Sequence, residues 1–516
     1  MHLIDFFDHG ASLDPYATCL VEDSLRLSYR DVSDWTHRIA WSLRDAKIPR
    51  QGRVAVLSPN NLWGYVAILG LQRAGCIWVP LNARSSLDEI IAHLKRTGSE
   101  WLFYHSDFED ALPRILAQVP TLRGLVCLDG ADGAHPDMQD WSASRTDRPF
   151  PLPDLDDRDA VFRITSSGGT TGAPKAVVQK QIGVEANMSA FLALTPHPKP
   201  RYLLCNPMTH AAGIASFNVL TRGGTVYIMP VLDLLKVVEI IEHERISMLM
   251  LTPTSIYSLL ALPGLRAHDF SSLRYFMFGA APMSADKLRE ALHVFGPVMM
   301  QTYAQTEAST LLTAMMPEDY LKILSNHGLE HRLRSCGRAG PFCRLAVMDE
   351  SGALLPTGKS GELVVRSGMV MGGYWEDADL DSATSRYGWH HTGDIAYMDE
   401  FGYVYLVDRI RDLIITGGFN VFPSEVEQVI WGHPAVQDCA VIGVPDAKWG
   451  EAVKAVIQLK PGATAAESEI IDLCKERLGS VKSPKTVEFW PDLPRSPLNK
   501  VLKKTIRQRY WPSTPA

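Results

Sequence analysis

Ser167-Gly168-Gly169-Thr170-Thr171-Gly172-Ala173-Pro174-Lys175 stands one serine after the apolar run Val161-Phe-Arg-Ile-Thr165. The run reads as a strand and the glycines and threonines read as a turn. A glycine-rich turn at a strand end points backbone amides and hydroxyls at phosphate oxygens. Its glycines permit close approach, and Thr170, Thr171 and Lys175 add donors and charge. The pattern is not the common nucleotide-triphosphatase loop, which needs Gly immediately before Lys and Ser or Thr after it. Pro174 and Ala176 occupy those places. Taken alone, a plain flexible turn competes with the phosphate-binding reading.

Towards the N-terminus the chain alternates short apolar runs with helical patterns. Residues 53–58 (RVAVLS) are strand-like, 60–75 have helical periodicity, and 76–81 (CIWVPL) are strand-like again. That is a βαβ rhythm. Next, Ser85 or Ser86 can cap a helix with acids in its first turn, bases in its last and Gly98 as its stop, before the strand-like WLFYH. Residues 129–160, rich in Asp, Pro and Gly, read as a surface connection. Strand and helix patterns then run on to about residue 400 with no fixed repeat. After Tyr405-Leu-Val-Asp-Arg409 the character changes to a short module: AVIGV, the alternating EAVKAVIQLK, an amphipathic helix around EIIDLCKERL, and TVEFW.

The expected fold is therefore α/β. A large N-terminal domain of several subdomains, with mainly parallel sheets, covers 1–408, and a small α+β domain covers 409–516. At 516 residues the chain exceeds what one core usually organises. Apolar residues make up 46% and charged residues 21%, an ordinary globular balance. A net charge of −7 argues against a general nucleic-acid binder, which needs excess base to displace counterions from phosphates. The opening MHLIDFFDHG lacks a basic n-region, and no apolar run reaches transmembrane length, so a cytoplasmic address is expected. The eight cysteines show no CxxC pair and read as buried free thiols. His390 and His391 lack neighbours at metal-ligand spacing and read as non-ligands.

Between 475 and 509 ten Lys or Arg face three acids. A solvated basic face is the plain reading; a docking surface for a polyanion such as ATP or CoA is the sharper one.

Five segments in one order resemble the adenylate-forming superfamily of acyl-CoA synthetases, luciferases and peptide-synthetase adenylation domains. They are the 167–175 loop, Tyr303-Ala-Gln-Thr-Glu307, Tyr387-Gly-Trp-His-His-Thr-Gly-Asp394, Asp408-Arg-Ile-Arg-Asp-Leu-Ile-Ile-Thr-Gly-Gly418 and Pro497-Leu-Asn-Lys500. Together they span nearly the whole chain. The resemblance implies ATP, Mg²⁺ and coenzyme A as ligands, with a small carboxylic acid as the other substrate. It makes Lys500 the catalytic lysine and Glu307 the Mg²⁺ ligand, with Thr306 at the α-phosphate and the 167–175 loop at the β/γ oxygens. Tyr303 offers a face to adenine, Asp394 accepts the ribose hydroxyls, and Arg409 reaches ribose or phosphate. His210, in Pro207-Met-Thr-His-Ala-Ala-Gly213, matches the residue between adenylate and acyl or thiol channel. Gly279 and Ala280, in Phe278-Gly-Ala-Ala-Pro282, match the segment under adenine and acyl group, and Gly418 the pantetheine-channel loop.

Each residue also has a bland alternative. A lone His is more often structural, an isolated Glu or Arg a surface charge, and an Asp after Gly a turn former. Small residues at 279–281 also suit tight packing. Three departures from the family pattern stand out: Ala304 where Gly is usual, Gly168 and Ala176 where Ser and Gly are common, and PLNK in place of PTGK.

The expected activity is that of an AMP-forming acid–thiol ligase acting on a hydrophobic fatty, cyclic or aromatic acid. Ala211, Ala212 and Gly213 leave room for a bulky acyl group. The resemblance adds a rotation of the C-terminal domain about Arg411 between the two half-reactions. Loading of a carrier protein is the alternative, disfavoured by the basic C-terminal face. A non-catalytic homologue would have to lack Lys500 or Glu307, and both are present. A homodimer stays open.

Overall fold

The computed structural model describes residues 1–130, 135–143, 149–151, 157, 159–167, 175–496 and 501–511. The βαβ rhythm is realised as the strand Arg53–Ser58, the helix Leu62–Arg73 and the strand Ile77–Asn82. Asn61 caps the helix by accepting from the Gly64 amide at 3.0 Å. The next helix, Leu87–Thr97, begins at a Ser86–Glu89 capping box and stops at Gly98, whose φ of 58° needs glycine's freedom. Both signals were legible in the sequence.

The strands Arg53–Ser58 and Ile77–Asn82 belong to a seven-stranded sheet in which Val161–Ser167, Trp101–Tyr104 and Gly124–Cys127 also run parallel. Lys175–Lys180 and Gly373–Tyr374 extend one edge antiparallel. A nine-stranded sheet has six parallel strands, Met299–Tyr303, Tyr275–Gly279, Met248–Leu251, Arg201–Leu204, Thr225–Ile228 and Thr18–Glu22, flanked by antiparallel edges. One core joins the two sheets. Residues of the helices Leu62–Arg73, Gln181–Leu194 and Ala211–Thr221 pack in it with Val54 and Trp78 from one sheet and Tyr202 and Met277 from the other. A helix between two sheets has no solvent face, which is why Leu62–Arg73 is apolar almost all round.

The third sheet is the antiparallel part of an N-terminal region whose two large sheets are mainly parallel, as expected. Cys343–Met348, Gly361–Ser367, Trp389–Met398 and Val404–Arg409 are antiparallel throughout. Antiparallel pairing needs no crossover helix, and the connection from Gly361–Ser367 to Trp389–Met398 lends Gly373–Tyr374 to the seven-stranded sheet and carries the short helix Ala378–Thr384. The fourth sheet contains Phe419–Val421, Ile414–Thr416, Gly450–Leu459, Val436–Asp446 and Thr486–Phe489, with Pro423–Trp431 and Glu467–Lys482 as its helices. Between the third and fourth sheets lies a single 3₁₀ turn, Ile410–Asp412.

The connection expected over 129–160 contains a short helix, Met138–Ser142. Asp137 caps it, and Trp141 packs edge-on against Phe103. The cysteines are all free, seven of them buried and Cys343 partly so. Among the described residues no helix is long and apolar enough to cross a membrane.

Candidate active site

Ser167 and Lys175 are register partners at the closed end of the hairpin Val161–Ser167/Lys175–Lys180. The turn between them, with Gly168, Gly169, Thr170, Thr171 and Gly172, lies outside the described residues, as does Lys500. Beside Lys175, at that end of the hairpin, Tyr374 meets Glu307. Lys175 Nζ sits 5.1 Å from the centre of the Tyr374 ring, and Tyr374 Oη donates to Glu307 Oε1 at 3.2 Å. Burial, then the neighbouring Glu307 charge, push the Tyr374 phenol pKa up, so it stays a donor. Among the described residues no other group donates to the Glu307 side chain. Its second oxygen is thus available to a hard cation, for which a half-buried carboxylate is a suitable ligand. The segment is held by its backbone as well: Met371 N donates to Glu307 O at 2.7 Å and Gln179 Nε2 to Thr306 O at 2.8 Å.

Asp394 forms the second cluster. It lies on Trp389–Met398, only 6% exposed, and its Oδ2 accepts from Tyr303 Oη at 2.6 Å and Gln305 Nε2 at 2.7 Å. Arg409 Nε lies 3.2 Å from Oδ1. A buried carboxylate needs such partners, because leaving it unpaired is costly. The Tyr303 phenol is pushed far up by burial and then by Asp394. A diol arriving at Asp394 therefore meets a carboxylate whose Oδ2 is already filled and whose Oδ1 shares one cation.

His210 is the N-cap residue of Ala211–Thr221, but its ring makes no capping bond; Thr209 Oγ1 lies 2.8 Å from Nδ1. Burial, and secondarily the Arg163 guanidinium, push its pKa down to about 4, so the ring is neutral near pH 7. Gly279 ends the strand Tyr275–Gly279 beside Thr302, and a Cβ there would sit 2.4 Å from the Thr302 carbonyl oxygen. Sheet packing alone thus accounts for that glycine. Ala280, next in sequence, takes a φ of 67°, a strained conformation for a residue with a Cβ. Gly213 is also a packing residue: a Cβ would lie 1.8 Å from the Met208 carbonyl oxygen. It is therefore not there merely to leave acyl space. Gly417 and Gly418 form the turn between Ile414–Thr416 and Phe419–Val421 with φ of 57° and 82°. No hydrogen bond or ion pair joins them to the Glu307 or Asp394 cluster among the described residues.

The structure thus gathers Thr306 and Glu307 with Lys175, and Tyr303 with Asp394 and Arg409. It adds four residues the sequence did not single out: Tyr374, Gln305, Arg163 and Gln179. Gln305 stood inside the quoted YAQTE and Arg163 inside the quoted VFRIT. Arg163, Gln179 and Tyr374 lie on strands, and only the tertiary fold brings them to the site.

The sequence profile of AMP-binding enzymes matches residues 7–375, and that of the AMP-binding enzyme C-terminal domain matches residues 425–500. A medium/long-chain-fatty-acid–CoA ligase of Mycobacterium tuberculosis is 38% identical over 409 residues, 77% of this chain and 70% of that protein. A feruloyl-CoA synthase of Amycolatopsis is 32% identical, with 97% of each chain covered. The crystal structure of ATP-bound MatB from Rhodopseudomonas palustris superposes with a TM-score of 0.89 at 28% identity, covering 99% of both chains.

Proposed function

The chain belongs to the AMP-binding enzyme family, and on that premise we propose that it activates a hydrophobic fatty, cyclic or aromatic carboxylic acid as an acyl-adenylate and passes the acyl group to coenzyme A. It is an AMP-forming acid–thiol ligase. The observation that carries the reading is the arrangement around one segment, residues 303–307. Its first residue and Gln305 hold Asp394, and its last residue faces Lys175 across Tyr374. A sugar-binding acid and a metal-binding acid, one segment apart and beside a glycine-rich hairpin, suit a nucleoside triphosphate.

In the first half-reaction a carboxylate oxygen of the acid attacks the α-phosphorus of ATP and pyrophosphate leaves. In the second, the CoA thiolate attacks the acyl carbon and AMP leaves. The protein's task in such displacements is positioning and neutralisation of charge. Asp394 and Arg409 hold the ribose and Tyr303 its base. Ser167, the turn residues 168–172 and Lys175 hold phosphate oxygens, and Thr306 donates to the α-phosphate. Glu307 would hold Mg²⁺, which when bound offsets phosphate charge. Lys500 bridges carboxylate and phosphate. Gly279 and Ala280 line the floor beneath the adenylate, and neutral His210 faces the acyl carbon. The C-terminal part, expected from 409 onward, carries Lys500 and the Gly418 channel loop to the site in turn by rotating about residues 410–412, which follow the strand that holds Arg409 beside Asp394. The enzyme works in the cytoplasm.

The test is a screen of acids graded in chain length and aromaticity, reading pyrophosphate, AMP and thioester with and without CoA. Pyrophosphate with acid alone, and thioester only with CoA, is expected. No adenylation of any acid would refute the reading. Acyl transfer to a phosphopantetheinylated carrier in preference to CoA would favour the carrier-loading alternative.

A further inference from the structure

Arg163 lies inside the seven-stranded sheet, 4% exposed, opposite Trp78 on one side and Gln179 on the other. Its guanidinium carbon is 5.5 Å from the Trp78 ring centre and 5.7 Å from that of Phe162. Among the described residues no carboxylate lies within ion-pair distance of it. Burial alone lowers its pKa to about 9, which still leaves it charged near pH 7. A buried cation without a counter-ion is an expensive thing to keep, and an apolar residue would fill the same core at less cost.

Its hydrogen bonds indicate what it does. Nε donates to Gln179 Oε1 at 2.6 Å, and Gln179 Nε2 donates to the Thr306 carbonyl at 2.8 Å. Nη1 donates to the Thr209 carbonyl at 3.2 Å, and the Thr209 hydroxyl is 2.8 Å from His210 Nδ1. One planar group thus reaches both the segment carrying Thr306 and Glu307 and the turn carrying His210. The angle between its two donors is fixed by the guanidinium, which a flexible ammonium cannot reproduce.

We propose that Arg163 is a positioning residue for adenylation, setting the distance between the Thr306–Glu307 segment and His210 through Gln179 and the Thr209 carbonyl. The inference rests on the adenylation reading above. Arg163 itself touches no reactant. Its effect is on geometry, where a displacement of about 1 Å can cost about 10²-fold in rate.

The test compares wild type, Arg163→Lys, Arg163→Met and Gln179→Met. Folding is checked by circular dichroism and melting, and ATP affinity by calorimetry. Single-turnover rates are then taken separately for acyl-AMP formation and for transfer from added acyl-AMP to CoA. Wild type must first make acyl-AMP from some acid; if it does not, the functional reading fails and the variants are not needed to say so. The expected result is that Arg163→Lys, despite its retained charge, and Gln179→Met each slow acyl-AMP formation by about 10- to 100-fold. ATP affinity should move less than about threefold, a change under about 0.7 kcal/mol. The Gln179 variant should retain transfer, since it cuts only the Thr306 branch. Should both Arg163 variants fail to fold, Gln179→Met alone decides. Wild-type adenylation in that variant, or an equal loss in both half-reactions, would make Arg163 a core residue only and overturn the proposal.

Discussion

Tyr303 and Asp394 are joined through a 2.6 Å hydrogen bond from the phenol to Oδ2, so the proposed adenine platform and the proposed ribose ligand form one rigid unit. Gln305 shares the same oxygen at 2.7 Å and Arg409 sits on the other at 3.2 Å. Tyr303→Phe keeps the ring and removes one donor from a buried carboxylate. Hydrogen bonds to charged groups contribute about 1.5–3 kcal/mol. The dissociation constant for ATP should therefore rise about 10- to 100-fold, read by calorimetry, if the free Asp394 swings away from its place. An unchanged constant would show that Gln305 and Arg409 hold the carboxylate unaided.

Glu307→Gln keeps the side chain's shape and its bond from Tyr374 while removing the charge. With Lys175 still 5.1 Å above the Tyr374 ring, the local balance turns positive, and a divalent cation loses its anchor. The Mg²⁺ concentration giving half-maximal acyl-AMP formation should rise about tenfold or more at saturating acid, with the melting temperature preserved. A superimposable Mg²⁺ titration would move the metal site away from this residue.

A pH effect belongs to the C-terminal module. Glu488 Oε1 is 2.7 Å from Lys454 Nζ, and its Oε2 accepts from Tyr510 Oη at 2.6 Å and Trp490 Nε1 at 3.0 Å. These bonds, that of Lys454 foremost, lower its pKa from 4.5 to about 2. A depressed carboxylate stabilises the fold above its unfolded value and gives that stability up as pH falls through the folded one. The stability gap between wild type and Glu488→Gln should be full above about pH 4.5 and close towards pH 2. Urea midpoints measured across that range check it; a gap constant with pH would mean the glutamine preserves whatever the carboxylate does. The partly exposed position keeps the gap small.

How much of this was legible in the sequence depended on whether a signal was local. Ser86, Glu89 and Gly98 mark a helix because caps and stops are made by residues adjacent in sequence. The strand before Ser167 and the glycines after it are likewise a local pattern. Arg163 and Gln179, by contrast, look like polar interruptions of two apolar strands, and their bond exists only because those strands pair. Gly279 and Gly213 matched the expected small residues, yet the close contacts are with the carbonyls of Thr302 and Met208. Tyr374 reaches Glu307 only after a third segment joins the hairpin as an edge strand. Composition and periodicity carry no information about such meetings.

The 3₁₀ turn Ile410–Asp412 connects the third and fourth sheets, and Asp408 just before it is tied to the C-terminal module. Ser424 N donates to Asp408 Oδ2 at 2.9 Å, while Lys503 Nζ pairs with the buried Glu427 at 2.8 Å, close enough to Asp408 and Asp412 for both charges to raise its pKa. A rotation of that module about these three residues, as hinges rotate, would have to break the Ser424–Asp408 bond. Proline at 411 fixes φ near −65°, which a 3₁₀ turn accepts, but it also drives Ile410 out of the helical region and towards an extended one. The two demands leave fewer arrangements open than the natural chain has. Because Arg411 itself is given no contact with a reactant, a loss confined to the second half-reaction is the mark of a blocked motion. Arg411→Pro should therefore form acyl-AMP in a single turnover from enzyme, Mg·ATP and acid, and then fail to give thioester when CoA is added. Normal thioester formation would place the pivot elsewhere. Equal loss of both half-reactions, with the melting curve unchanged, would mean that one arrangement of the module serves both steps.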